Sequence, residues 1–307
     1  MYKRMLVPLD GSELAEVALT YAKNLACSLK ITEVILLHVY SPEECGLVPK
    51  HQAYIEKAAD TIGRQSERIQ ETGVQSGARV IKAQGGLAMG NPAEEILRYA
   101  DMNDIDLILM ATHGRSGISR WATGSVAYKV LRASKVSVWL IKDGIAEEII
   151  KDKLPSRTIL VPLDGSKLNE SVLPNVEALA KHWADGQVEV VLLRVCQPPV
   201  VSSDYPSDMP LSWEEHVELE TAQCKLEAGP YLAEIGKRLI EAGLKVYQEV
   251  PLGKPAEAII DYALSNRVNL IAMTTHGRSG ISRWAYGSVA EEVMLGAFTP
   301  VLLVKSQ

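Results

Sequence analysis

Long apolar runs, CxxC motifs and net positive charge are all missing from this chain of 307 residues. No stretch approaches the roughly 18 consecutive apolar residues of a membrane span, so no membrane partner is expected. The opening MYKRMLVPLDGS runs straight into a strand pattern without the apolar core of a secretory leader. There are four cysteines, Cys27, Cys45, Cys196 and Cys224, and no CxxC pair, which argues against a zinc ribbon or a thioredoxin-type site. Cys27 and Cys196 fall in apolar patterns and read as buried packing residues. A cytoplasmic protein with free thiols is the expectation. The formal charge of -6 opposes nucleic-acid binding, because a phosphate backbone needs a basic face. A Walker loop, a G-x-G-x-x-G after the first strand, a G-x-S-x-G elbow and metal-ligand spacing of His, Asp and Glu are absent too.

What the chain does contain is an internal repeat. MLVPLDGS at 5–12 returns as ILVPLDGS at 159–166, and THGRSGISRWA at 112–122 returns letter for letter at 275–285. Each long match is followed by one variable residue and then GSVA. The early anchors are 154 positions apart and the later ones 163, so the second copy carries nine extra residues in its middle. A period of that size is a duplicated domain, not a solenoid. The expected units are 1–143 and 158–307, joined by a charged linker over 144–157 in which a helical turn is conceivable. Residues 197–210, rich in Pro and Ser, read as an exposed loop holding much of the extra length.

Each copy alternates short apolar strands with amphipathic helices. In copy one the strands fall near 5–9, 34–39, 78–83, 105–110 and 136–141. The helices fall near 13–29 (with Ser12 as its cap), 50–71, from Asn91-Pro92 onward, and 124–133. This alternation predicts an α/β fold, doubly wound, with a parallel sheet covered on both faces. Ligands of such sheets sit beyond the carboxyl ends of the strands, where strand order reverses. The glycine-bearing segments follow the first and fourth strands and so reach that edge.

Between Gly114 and Ser125 the chain leaves a strand, turns at Gly114 and Gly117, and starts a helix at Gly124-Ser125. Glycines let backbone N–H groups approach an anion, and a helix start adds free donors and partial positive charge, which together make a phosphate site. A tight turn with a capped helix is the alternative. Repetition as Gly277, Gly280, Gly287 and Ser288 favours the ligand. Asp10 and Asp164 are placed to accept from ribose hydroxyls, or else to bond their own turn. Arg115 and Arg278 pair with phosphates or with solvent. His113 and His276 read as loop-orienting residues, not as catalytic ones.

At these residues the sequence resembles the universal stress protein family in its tandem form. The family signature G-x2-G-x9-G-[ST] is met by Ala111-Thr112-His113-Gly114 with Gly124-Ser125, and by Thr274-Thr275-His276-Gly277 with Gly287-Ser288. Alanine and threonine replace the first glycine. The resemblance implies ATP, or AMP or ADP, with Mg²⁺ held through the phosphates. It places Pro8, Leu9, Asp10, Val39, Met110 and Ala111 around adenine and ribose. His113, Gly114, Arg115, Gly117, Gly124, Ser125 and Val126 come near the phosphates. The second set is Pro162, Leu163, Asp164, Val195, Met273 and Thr274, then His276, Gly277, Arg278, Gly280, Gly287, Ser288 and Val289. It also implies a five-stranded parallel sheet of order 3-2-1-4-5 in each copy. The copies pair through their last strands as an internal pseudo-dimer, and a homodimer stays open.

The expected function is a non-catalytic adenine-nucleotide sensor in stress response, with no assigned protein partner. A slow ATPase or nucleotidyl transferase, or a nucleotide-free scaffold, are the alternatives. Threonine at 274 is bulkier than alanine and stiff at χ1, so crowding and a weaker second site are expected.

Overall fold

The computed structural model describes residues 2–72, 81–112, 125–150, 157–183, 188–199, 212–275 and 287–305. The first half runs β1 (Arg4–Pro8), α1 (Glu13–Ser28), β2 (Glu33–Tyr40), α2 (Val48–Thr72), β3 (Lys82–Met89), α3 (Pro92–Met102), β4 (Leu107–Thr112), α4 (Ser125–Ala133) and β5 (Ser137–Lys142). A short helix, α5 (Glu147–Ile150), stands in the linker. The second half follows with β6 (Arg157–Pro162), α6 (Leu173–His182), β7 (Val188–Leu193), α7 (Trp213–Glu241), β8 (Lys245–Glu249), α8 (Pro255–Ser265), β9 (Leu270–Thr274), α9 (Ser288–Gly296) and β10 (Val301–Val304).

Local chemistry sets these boundaries. The Ser12 hydroxyl accepts from the Ala15 N–H at 3.2 Å and caps α1. Asn91 caps α3 in the same way, with Pro92 in the first turn where its missing N–H costs nothing. In the second half Pro255 opens α8, the repeat of α3, and Pro174 lies in the first turn of α6, the repeat of α1. A 3₁₀ turn over Asn169–Val172 precedes α6, which is shorter than α1. The central strands β1 and β6 are apolar and buried, as strands covered on both faces must be.

The third strand lies later than its apolar pattern suggests, over Lys82–Met89 and not 78–83. Its centre, Gly85-Gly86, has no apolar side chains to signal a strand. Close packing explains the glycine: a Cβ on Gly85 would stand 2.8 Å from Ile55 Cγ2 and 3.2 Å from the Ile55 backbone. The absent side chain is what lets α2 lie against β3.

All ten described strands form one sheet, in the order β3-β2-β1-β4-β5-β10-β9-β6-β7-β8. Each half is parallel in the order 3-2-1-4-5, and the halves join through an antiparallel pair, β5 with β10. Val301 faces Leu140, Leu302 faces Trp139 and Leu303 faces Val138. Val301, Leu302 and Leu303 are the repeats of Val138, Trp139 and Leu140. Exchanging the halves therefore maps the register onto itself, about a local twofold between Trp139 and Leu302. Trp139 is fully buried there, with ring centroids 5.8 Å from Trp183 and 6.2 Å from Tyr21. The seam satisfies two strand edges and joins the two cores.

The expectation of free thiols fails in the second half. Cys196, just past β7, and Cys224, inside α7, form a disulfide with Cα atoms 5.9 Å apart. The two lie 28 residues apart, and only the return of α7 across the strand end brings them together. Cys196 is buried, but as a disulfide partner. Cys27 is only partly buried, and Cys45 is exposed. Among the described residues no helix is long and apolar enough to cross a membrane.

Candidate functional site

Strand order reverses beside β1 in the first half and beside β6 in the second. At the carboxyl end of each, a glycine in the left-handed region (Gly11, φ 81°; Gly165, φ 88°) turns the chain into the next segment. The turns are alike: Asp10 Oδ1 accepts from the Ser12 N–H at 3.0 Å, and Asp164 Oδ1 from the Ser166 N–H at 2.9 Å. The self-bonding role anticipated for these aspartates is thus present through one carboxylate oxygen. It leaves the other face of Asp164 on a cavity.

That cavity, about 440 Å³, opens at the carboxyl edge of the second half. Nine residues singled out in the sequence line it together: Pro162, Leu163, Asp164, Val195, Met273, Thr274, Gly287, Ser288 and Val289. They come from the ends of β6 and β9, the segment after β7 and the start of α9, so four separate stretches of chain converge on one space. His276, Gly277, Arg278 and Gly280 lie outside the described residues. The volume is that of a small-molecule site. Its floor is apolar, from Met273, Val195 and Ile259. One wall is acidic at Asp164. Another is the N-terminus of α9, whose cap Gly287 provides no side-chain bond to the first-turn donors. A carboxylate and a helix N-terminus without a side-chain cap, lining one cavity, suit a ligand with hydroxyls and an anionic tail.

In the first half, Pro8 ends β1 and Leu9 and Asp10 follow it, Met110 and Ala111 lie on β4 beside it, and Val39 lies on β2. Ser125 and Val126 begin α4. The Leu9 N–H donates to the Leu37 carbonyl at 2.9 Å, and its repeat Leu163 donates to Leu193 at 2.8 Å. The two edges therefore share one backbone geometry. His113, Gly114, Arg115, Gly117 and Gly124 lie outside the described residues.

Several cavity residues gave no sequence signal. Asn169 and Cys224 line the second cavity, as does Arg194, whose guanidinium lies 5.3 Å from the Tyr231 ring centroid. Burial, with the Glu170 and Asp164 carboxylates beside it, raises the Tyr231 phenol and keeps it protonated. Tyr54 plays the same part in the first half: burial, then Glu16, push it up to about 12. His38, buried in the first half, contacts the Leu9 carbonyl through Nδ1 at 2.8 Å, where the second half has Arg194. Thr274 is also unlike its expectation. Its side chain is buried and its hydroxyl donates to Asn169 Oδ1 at 3.1 Å, so the bulk has a protein partner. Among the described residues no cluster of three His, Cys, Asp or Glu side chains is placed to hold a metal ion.

Comparison with known proteins agrees with this architecture. The universal stress protein family matches the chain twice, over residues 1–142 and 155–305. Universal stress protein MJ0531 of Methanocaldococcus jannaschii is 33% identical over 149 residues, 48% of this chain and 82% of that protein. The universal stress protein E homolog of Haemophilus influenzae is 21% identical over 313 residues, 95% of this chain and 94% of the homolog. A crystal structure of a universal stress protein from Archaeoglobus fulgidus shares the fold with a TM-score of 0.62 and 24% identity, covering 99% of this chain and 98% of that one. With both halves matched and the paired parallel sheets in place, the chain belongs to the universal stress protein family.

Proposed function

We propose that each half binds an adenine nucleotide, ATP in the first instance, at the carboxyl edge of its sheet, and that the chain acts as a non-catalytic nucleotide sensor. Family membership supports a stress-response role. The observation that carries the nucleotide reading is the convergence of nine sequence-selected residues on one 440 Å³ cavity. In this reading Asp164 accepts from ribose hydroxyls. Val195 and Met273 flank the base, and the α9 N-terminus takes the phosphates. The first half works likewise through Asp10, Val39, Met110 and the α4 N-terminus. Mg²⁺ would be carried by the phosphates, with no protein ligand required. The resemblance assigns the glycines of 113–124 and 276–286 to the phosphates; these lie outside the described residues. Calorimetry on nucleotide-free protein tests this: ATP should bind and GTP should bind more weakly. Absence of heat with ATP up to millimolar concentration would refute it. Release of adenine nucleotide from gently purified, denatured protein would identify which phosphorylation state is carried.

A further inference from the structure

The bond between Cys196 and Cys224 belongs to the wall of the second cavity. Val195 and Gln197, on either side of Cys196, line that cavity, and so does Cys224 itself. The two cysteines are held very differently. Cys196 is 1% exposed, its N–H donates to the Pro251 carbonyl at 2.9 Å, and its carbonyl accepts from the Gly253 N–H at 3.1 Å. It is a fixed point of the sheet edge. Cys224 sits in the opening half of α7, where no residue from Trp213 to Glu227 is buried; the buried series starts at Ala228. The crosslink therefore ties a stretch with little packing of its own to a rigid edge, beside the ligand space.

The first half supplies the control. Counted from the paired valines Val39 and Val195, and from the paired tyrosines Tyr54 and Tyr231, the positions of Cys196 and Cys224 are held there by Tyr40 and Leu47. No sulfur crosslink can form at that place. Cys27 and Cys45 are free thiols, with nothing for a reductant to open.

Opening the bond takes two electrons and two protons. A dithiol reductant supplies them and becomes its own disulfide, leaving Cys196 and Cys224 as two thiols. Its thiolate attacks at Cys224, which is half-buried beside the open cavity, and displaces the buried Cys196 sulfur. With the tether gone, the opening half of α7 is held by partly buried contacts. The arrangement that forms the wall is then populated for a smaller fraction of the time, and apparent affinity falls by that fraction. Linkage requires the converse: a ligand that needs the wall stabilises the disulfide by the same factor.

Resting on the nucleotide reading above, we infer that the Cys196–Cys224 bond is a redox switch on the second site: the oxidised chain holds nucleotide there, and a dithiol reductant weakens that binding while leaving the first site unchanged. In an Asp10→Ala chain, which leaves the second site to report, calorimetry should show ATP binding about tenfold weaker after dithiothreitol, within the usual range of coupling between sites. Asp164→Ala, reporting the first site, should show no change. Adding Cys196→Ser and Cys224→Ser to the Asp10→Ala chain should give the reduced affinity and no response to dithiothreitol. A second readout needs no substitution. Redox titration of the native chain against dithiothreitol, read by peptide mapping, should place the Cys196–Cys224 potential about 30 mV lower with saturating ATP than without, the same tenfold for a two-electron couple. Equal affinity before and after reduction, an equal loss at both sites, or a potential that ATP does not move would overturn the inference and leave the nucleotide reading standing. So would loss of half the helical circular dichroism on reduction, which would mean unfolding of the second half and not a switch. An oxidised Asp10→Ala chain that binds no ATP fails the nucleotide reading of that site, and this inference with it.

Discussion

The two halves close the same joint by different means. In the second half, Cys196 past the end of β7 is bonded to Cys224 on α7. Cys196 corresponds to Tyr40, one residue after the paired valines Val39 and Val195. Tyr54 and Tyr231, each beside its repeat-related glutamate and aspartate, set Ile55, Ala58 and Ile62 on α2 against Leu232, Ile235 and Leu239 on α7, so Cys224 stands one helical turn before the position of His51, which is Ala228. In the first half, Tyr40 and His51 stack with ring centroids 6.0 Å apart, and His51 stacks again on His38 at 4.4 Å. What the fold requires is a strand-end-to-helix tether beside the ligand edge. Rings supply it in one copy and sulfur in the other. The first is insensitive to thiol reagents; the second is a redox-dependent wall, because Cys224 also lines the cavity.

The seam is what the halves share, and breaking it should have the largest effect. Trp139→Ala removes a fully buried ring from the local twofold and from contact with Trp183 across it. A loss of about 3–5 kcal/mol is expected, with both halves destabilised together, measurable by urea denaturation. Destabilisation confined to the first half would show that the seam does not couple them.

Removing the disulfide should come next. The crosslink spans 28 residues, and on chain-entropy grounds its loss costs about 3 to 4 kcal/mol. Reduction, or Cys196→Ser with Cys224→Ser, should raise hydrogen exchange in the N-terminal part of α7. That part places no residue in the core before Ala228, and first-half peptides should not change. The matching change His51→Ala should cost only about 1 kcal/mol, in the first half alone. Equal effects of reductant on both halves would break the comparison.

The smallest effect concerns an ion pair that both copies retain, Glu33–Lys82 at 2.8 Å and its repeat Glu189–Lys245. The hydrogen bond from Lys82, aided by Arg4, holds the Glu33 carboxyl below its ordinary range despite partial burial. The stability it contributes is present above the unfolded-state value near about 4.3 and is lost as pH falls through the lower folded value. Glu33→Gln should therefore lower stability at pH 7 by less than about 1 kcal/mol and flatten the acid limb of the first half. An unchanged acid limb in denaturant titrations from pH 7 to 3 would contradict it.

Much of this difference between copies is invisible in sequence, and the reason is distance along the chain. Strands with a strong apolar run, such as Val34–Leu37, and helices with a cap, such as Ser12 before α1, declare themselves through near neighbours. So did the ligand edge, because glycine turns and Asp10 or Asp164 follow strands directly. Lys82–Met89 lies later than its apolar pattern because Gly85 answers to Ile55, which lies outside any local window. The disulfide, the Asn169–Thr274 pair and the tyrosines beside the aspartates are contacts between segments joined only by folding. Residue type alone gave Cys196 as packing and Thr274 as bulk. Each acquires its role from a partner 28 or 105 positions away.

The central claim is one adenine-nucleotide site per half, and equilibrium dialysis of nucleotide-free protein against labelled ATP counts those sites directly. Two ATP per chain are expected, reduced to one site by Asp10→Ala and likewise by Asp164→Ala, with both variants still folded by circular dichroism. No ATP bound by the wild-type chain at millimolar concentration, or a count that neither substitution alters, would contradict it.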